Sequence, residues 1–160
     1  MAWTNSKVFA RFVFDKLSSS AAVADFDTDA IKVALYGTSI TPDNTVATDA
    51  LSSYNGAASQ WVTGNEITSG TGGWPAGGIA ATSLTVTQTT NVVKLDAADT
   101  PSSTSGATIT AAYGCLVYDS TTSAPTNIGV SYNYFGGSQS VTAGLFTIVW
   151  NANGIATFTT

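Results

Sequence analysis

Three short runs in residues 127–160 alternate apolar and polar side chains, with turn residues between them. They read N-I-G-V-S-Y-N-Y-F (127–135), L-F-T-I-V-W (145–150) and I-A-T-F-T-T (155–160). Residues two apart on a strand share a face, so Phe146, Ile148 and Trp150 form one side of the middle run and Leu145, Thr147 and Val149 the other. One side is strongly apolar and the other nearly so, which predicts a central strand covered on both faces. G-G-S-Q-S-V-T-A-G reads as the first connection. N-A-N-G reads as a hairpin turn, because Asn153 and Gly154 both reach positive φ cheaply. Phe146, Ile148, Trp150 and Phe158 are expected to face the core, in a C-terminal hairpin essential to folding.

The same period of two recurs upstream. Ile31, Val33 and Leu35 alternate with Lys32 and Ala34 in a strand that stops at Gly37. Residues 79–88, 91–97 and 107–119 are further strands, and in the first Leu84 and Val86 point away from Ser83, Thr85 and Thr87. Gly114, midway along the last, predicts a bulge or the close approach of another backbone. One segment keeps helical spacing instead: Val8, Phe9, Phe12, Val13 and Leu17 make a single apolar stripe, although Phe and Val also suit a strand. Asn5 or Ser6 is the expected cap, Arg11 and Asp15 an i, i+4 pair, and Ser18-Ser19-Ser20 the end. Ala22-Val23-Ala24 looks like a secretory cleavage site, but Arg11, Asp15 and Lys16 break the apolar stretch that a signal peptide needs. The pattern predicts a mainly β, β-sandwich or jelly-roll-like single domain over residues 1–160. Its one short helix, within residues 1–24, packs on that domain.

Composition sharpens this picture. Only 9% of the 160 residues are charged, against roughly 25% in an ordinary soluble domain. The hydrophobic share of 44% argues against a disordered chain. With five Lys and Arg in total and a net charge of −5, binding to nucleic acid or to an anionic membrane is not expected. No charge follows Asp119, and no histidine occurs at all. The commonest general base and the commonest transition-metal ligand are therefore both missing. The lone Cys115, inside A-A-Y-G-C-L-V-Y, reads as a small buried hydrophobe.

Asp25, Asp27 and Asp29 stand at alternate positions and invite comparison with a calcium loop. Ala30 occupies the place where such a loop needs Gly, and no Glu closes it, so an acidic turn before a strand is the plainer account. Gly70, Gly72 and Gly73 lack the Lys-Ser/Thr of a phosphate-binding loop. Glu66 is the only Glu, and no spacing selects a carboxylate partner for it. The serines have neither a nucleophile elbow nor a histidine. These readings exclude no fold but leave no catalytic constellation, and no metal or cofactor is expected. Trp61, Trp74, Tyr54 and Tyr134 could stack on sugar rings, although core or interface packing is the simpler reading. Trp74-Pro75, stiff between glycines, is read as a knob touching a neighbouring subunit, its alternative being a lid over the open end of the sandwich. Trp74, Pro75, Trp61 and Tyr134 are the interface candidates.

Six phrases in order carry a family resemblance: D-T-D-A-I-K-V-A-L, T-P-D, N-E-I-T-S-G-T-G-G-W-P-A-G-G-I, V-V-K-L-D-A-A-D, A-T-I-T-A-A-Y-G-C-L-V-Y-D and G-L-F-T-I-V-W-N-A-N-G-I. From about residue 26 onward the chain resembles small virion structural proteins of tailed bacteriophages, of the capsid-decoration kind. The resemblance implies a non-enzymatic protein on the outer surface of the virion. Its implied partners are the major capsid protein and copies of itself, by analogy as a trimer. A tail tube or tail-tip component is the alternative, and a carbohydrate-binding module that holds glycans is a third.

Overall fold

The structure is a computed structural model that describes residues 3–18, 25–70, 73–121 and 126–160. The expected serine stop at Ser19-Ser20, the Ala22-Val23-Ala24 run and Gly72 lie outside those residues. The elements in chain order are β1 (Lys7–Val8), α1 (Ala10–Ser18), β2 (Ile31–Tyr36), α2 (Asp49–Ser52) and a single 3-10 turn (Thr63–Asn65). There follow β3 (Ile79–Ala80), β4 (Thr85–Thr89), β5 (Val92–Asp96), β6 (Thr100–Pro101), β7 (Ala107–Asp119), β8 (Gly129–Gly144), β9 (Thr147–Ile148) and β10 (Ala156–Thr159). The fold is mainly β, as the alternation predicted.

A sheet in the order β1-β8-β7-β2-β3 forms the spine, with smaller sheets β10-β5-β4 and β6-β9 beside it. All the pairings are antiparallel. Tyr36 pairs with Gly114, which pairs in turn with Tyr134, and Ala34 pairs with Leu116, which pairs with Tyr132. These residues share one face of the spine. On it Trp61 stacks on Tyr132 and meets Trp3, Phe9 and Tyr36 edge to face, with centroids 5.1–6.0 Å apart. The opposite face carries Phe135, whose ring meets Phe146, and Asn133, whose Nδ2 donates to the Ile155 carbonyl at 3.1 Å. The C-terminal segment is thus laid across that second face.

Gly114 is where the reading of a close approach proves right. A Cβ there would stand 2.3 Å from the Trp3 ring and 2.5 Å from the Asn133 carbonyl oxygen. The register also shifts between Ala112 and Gly114. Trp3 is buried in the resulting notch and donates from Nε1 to the Gly37 carbonyl at 2.7 Å.

Several expectations need correction. Residues 136–144 are no turn: β8 runs unbroken through them, with Gly136 at φ +78° absorbing the bend. The run 145–150 is no central strand, since only Thr147–Ile148 pairs, and it pairs with β6. The N-A-N-G turn does form, closed by Gly154 N–H to the Asn151 carbonyl at 2.7 Å. It does not make a hairpin, because β10 pairs with β5. Phe146, Ile148 and Trp150 do point inward, but only Ile148 is buried; Phe146, Trp150 and Phe158 are half-buried. The helix begins at Ala10, later than expected, because Lys7–Val8 is claimed by β8. Ser6 accepts the Tyr134 N–H instead of capping it. Leu17, placed on the apolar stripe, is 83% exposed, while Phe12 is buried and Asp15 is buried beside Arg11.

Candidate functional site

The four interface candidates separate once placed in the fold. Trp61 and Trp74 have no exposed surface, so the reading of Trp74 as an outward knob is corrected to that of a lid. Trp74 Nε1 donates to the Val33 carbonyl at 3.0 Å, and its ring meets Phe146 edge to face. The stiffness supplied by Pro75, itself exposed, aims the indole inward rather than outward. The loop behind it is tied by Glu66, which accepts the Gly77 N–H at 3.0 Å and the Tyr54 hydroxyl at 3.0 Å. Tyr118 Oη donates to the Gly77 carbonyl at 2.6 Å. Gly77 and Gly78 both have positive φ, and a Cβ on Gly78 would lie 2.1 Å from the Val33 carbonyl oxygen. Glycine here lets the loop dock against the sheet, which its sequence alone did not reveal.

Tyr134, by contrast, lines an open trench. The spine's outer strand, β8, is covered by β1 only at Ser131 and Tyr132. Beyond the Tyr134 N–H, held by Ser6 Oγ at 2.9 Å, no described strand pairs with its outer edge. A groove of about 360 Å³ opens there between Tyr134, Phe135 and Gln139 on β8 and Phe146, Ile148 and Val149 opposite. A second, of about 150 Å³, shares Tyr134, Phe135, Ile148 and Val149 with it and adds Trp150, Asn151 and Gly154. A third, of about 280 Å³, continues past Ser6 and Asn133 to Lys7, Val8 and residues 155–157. Shared walls make the three one trench along the strand edge.

The wall opposite β8 is held from behind. Phe146 exchanges hydrogen bonds with Ser102, Trp150 N–H donates to Asp99 Oδ1 at 3.1 Å, and Trp150 Nε1 donates to Thr100 Oγ1 at 3.3 Å. This turns Leu145 and Val149 outward, 57% and 71% exposed. Sequence reading missed this ridge because it took the outer face as covered.

The buried acids are occupied with structure. Burial holds Glu66, Asp15 and Asp119 above the usual carboxylate range, with backbone N–H groups pulling back at Glu66 and Asp119. Cys115 is buried and its thiol is pushed up by desolvation, the environment of a packing residue rather than a nucleophile. The Asp25–Asp29 segment folds on itself, with Asp29 Oδ2 accepting the Asp25 N–H and Asp25 Oδ1 that of Asp27. Among the described residues, no carboxylate, His or Cys lines the trench or the apolar groove beside α1. Comparison of the chain with protein-family models, with curated proteins and with solved structures finds no match.

Proposed function

We propose that this chain is a non-enzymatic structural protein of a tailed-bacteriophage particle, a head decoration protein that coats the outside of the capsid and stabilises its lattice. The observation that carries the reading is the part of the trench between β8 and residues 146–151, lined by no charged side chain, with its exposed ridge at Leu145 and Val149. A groove free of charge suits a protein partner, because no ion has to be stripped of water on contact. The sequence phrases supply the kind of particle; the trench supplies a means of attachment. The major capsid protein is the partner on this reading.

A tail tube or tail-tip component is the second reading, and β4 favours it. Thr85–Thr89 is an edge strand exposed along its whole length and carries no charge, the kind of edge through which subunits polymerise. Gold-labelled protein imaged on intact virions separates the two. Label over the head at lattice spacing and retention on emptied capsids support decoration. Label on tails alone moves the protein there, and binding to neither overturns the particle assignment.

A further inference from the structure

We propose that Asn153 is a site of spontaneous covalent modification, where the side-chain amide becomes a carboxylate and the C-terminal segment gains its first charged side chain. The chain holds two Asn-Gly pairs, Asn55-Gly56 and Asn153-Gly154, and every other Asn precedes a residue with a side chain. In an Asn-Gly pair the Gly backbone nitrogen reaches the Asn side-chain carbon, because no Cβ on the second residue stands in the way. That nitrogen gives its proton to hydroxide and bonds to Cγ, and Nδ2 leaves as ammonia with a proton taken from water. Water then opens the cyclic succinimide. Attack at Cγ restores the main chain and leaves aspartate, while attack at the main-chain carbonyl leaves isoaspartate. The net change is amide plus water to acid plus ammonia, with no oxidant or cofactor.

The fold separates the two pairs. Both asparagines are exposed, and both glycine N–H groups are held by the carbonyl three residues back, Gly56 by Ser53 at 3.2 Å and Gly154 by Asn151 at 2.7 Å. The side chains are where they differ. Asn55 is clamped across its loop: Oδ1 accepts the Thr63 N–H at 2.9 Å, and Nδ2 donates to Thr63 Oγ1 at 3.0 Å. The Asn153 side chain has no hydrogen-bond partner among the described residues; only its backbone N–H is engaged, by Asn151 Oδ1 at 2.9 Å. Its Cγ is free to turn onto the Gly154 nitrogen once the closing bond of the turn opens. That opening is local, since residues 151–153 are all exposed.

The product differs from the starting chain in charge and in shape. No side chain after Asp119 is charged, and the conversion makes the chain one unit more negative than −5. The charge arrives on the turn whose Asn151 and Gly154 wall the narrow groove of the trench. Isoaspartate also lengthens the main chain by one carbon, just before Ile155 N–H meets the Leu95 carbonyl at 2.8 Å and β10 pairs with β5. The conversion does not depend on what the trench binds.

The test is to hold the full folded chain at mildly alkaline pH in water enriched in heavy oxygen, and to follow both pairs by peptide mass spectrometry. Asn153 should convert at least about ten-fold faster than Asn55, the protection expected of the two bonds from Thr63. Its product should carry solvent oxygen and be a mixture of aspartate and isoaspartate, told apart by fragmentation. Thr63→Ala, which frees Asn55 Nδ2, should speed conversion at Asn55 and leave Asn153 unchanged. In urea the two pairs should convert at similar rates. Equal rates in the folded chain, or an Asn153 that outlasts Asn55, overturn the proposal. So does an Asn153 that stays an amide in the folded chain while the urea sample converts. A product that is aspartate alone overturns it too, because direct hydrolysis of the side chain makes no isoaspartate.

Discussion

The two aromatic groups on the spine are built from the same residue types and meet opposite fates. Around Trp61, the rings of Trp3, Phe9, Tyr36 and Tyr132 close into a dry cluster, with Trp3 and Trp61 at 2% and 0% exposure. Around the trench, Tyr134, Phe135, Phe146 and Trp150 stay half-buried. What differs is backbone room and strand cover. Gly114 opens a notch that seats Trp3, and Trp61 closes over that cluster. On the other flank β8 outruns its neighbour β1, so the rings beside its bare edge close on one side only, Tyr134 on Trp3 and Phe146 on Trp74 and Phe135. Burial here follows from what lies across the sheet, not from the side chain itself.

The sharpest way to break the comparison is to truncate a ring that is fully buried although it packs on the half-buried Phe146 of the trench. Trp74→Ala removes a buried indole and strands the Val33 carbonyl. The cost should be about 3–5 kcal/mol, lowering the thermal midpoint by roughly 10 °C at the usual ~2–4 °C per kcal/mol for a chain of this size. An unchanged midpoint with weakened assembly would restore Trp74 to the interface. Gly114→Ala comes next. Its methyl meets the Trp3 ring and the Asn133 carbonyl, so urea denaturation should show a loss of about 1–3 kcal/mol. Wild-type stability there would mean that Trp3 swings out of the notch at no cost.

Acidity separates the closed side by a smaller effect. Glu66, Asp15 and Asp119 are all held above their ordinary pKa, chiefly by burial. The folded state therefore favours the neutral acids. Their contribution is complete below the unfolded carboxylate range, about pH 4, and is lost as pH rises through the raised folded values. The midpoint should climb by a few degrees as pH falls from neutral towards that range. Asp43 works the other way: its pKa is lowered by Thr45, so its share is lost as pH falls, but it is an exposed group. Asp119→Asn, which keeps an acceptor for the Thr121 N–H, should flatten the slope and stabilise the protein at neutral pH. A slope unaltered by Asp119→Asn would place the titrating group elsewhere. The smallest effect belongs to the open side: Leu145→Ser should leave the unfolding free energy within about 0.5 kcal/mol of wild type. A larger loss would mean that the ridge is packed within its own chain.

Much of the fold was legible as period-two alternation, which placed β2 and β7. The alternation of Ile31, Val33 and Leu35 also implied a strand covered on one face, and that is corrected: Ala34 and Tyr36 are buried too, as is every residue of β7 from Gly114 to Asp119. The continuation of β8 through Gly136 and Gly137 was not legible, because glycines and serines at an exposed ribbon look the same as a loop. The N-A-N-G turn was read correctly and its partners were not: a turn specifies a change of direction, while pairing of β10 with β5 depends on chain 60 residues away. Of the candidate site, Tyr134 was found by type alone. Leu145 and Val149 were visible as apolar residues, but their exposure depends on whether another layer arrives, and no local pattern reports that. Trp74 failed for a related reason. Flanking glycines permit both outward projection and inward docking, and the carbonyl of Val33, 41 positions earlier, decides between them.

The pinned loop at residues 73–78 has a consequence for the chain's lifetime. Glycine-rich stretches of this kind are where proteases ordinarily cut, since cleavage needs several residues to peel away and enter an active site. Here the Val33 carbonyl, which accepts from the Trp74 indole, the Tyr118 hydroxyl and the Glu66 carboxylate grip the stretch from three separate parts of the molecule. To expose it, these holds must release, so cleavage there requires a local opening of the fold. A segment that looks like the most vulnerable point in the sequence is thereby held against digestion.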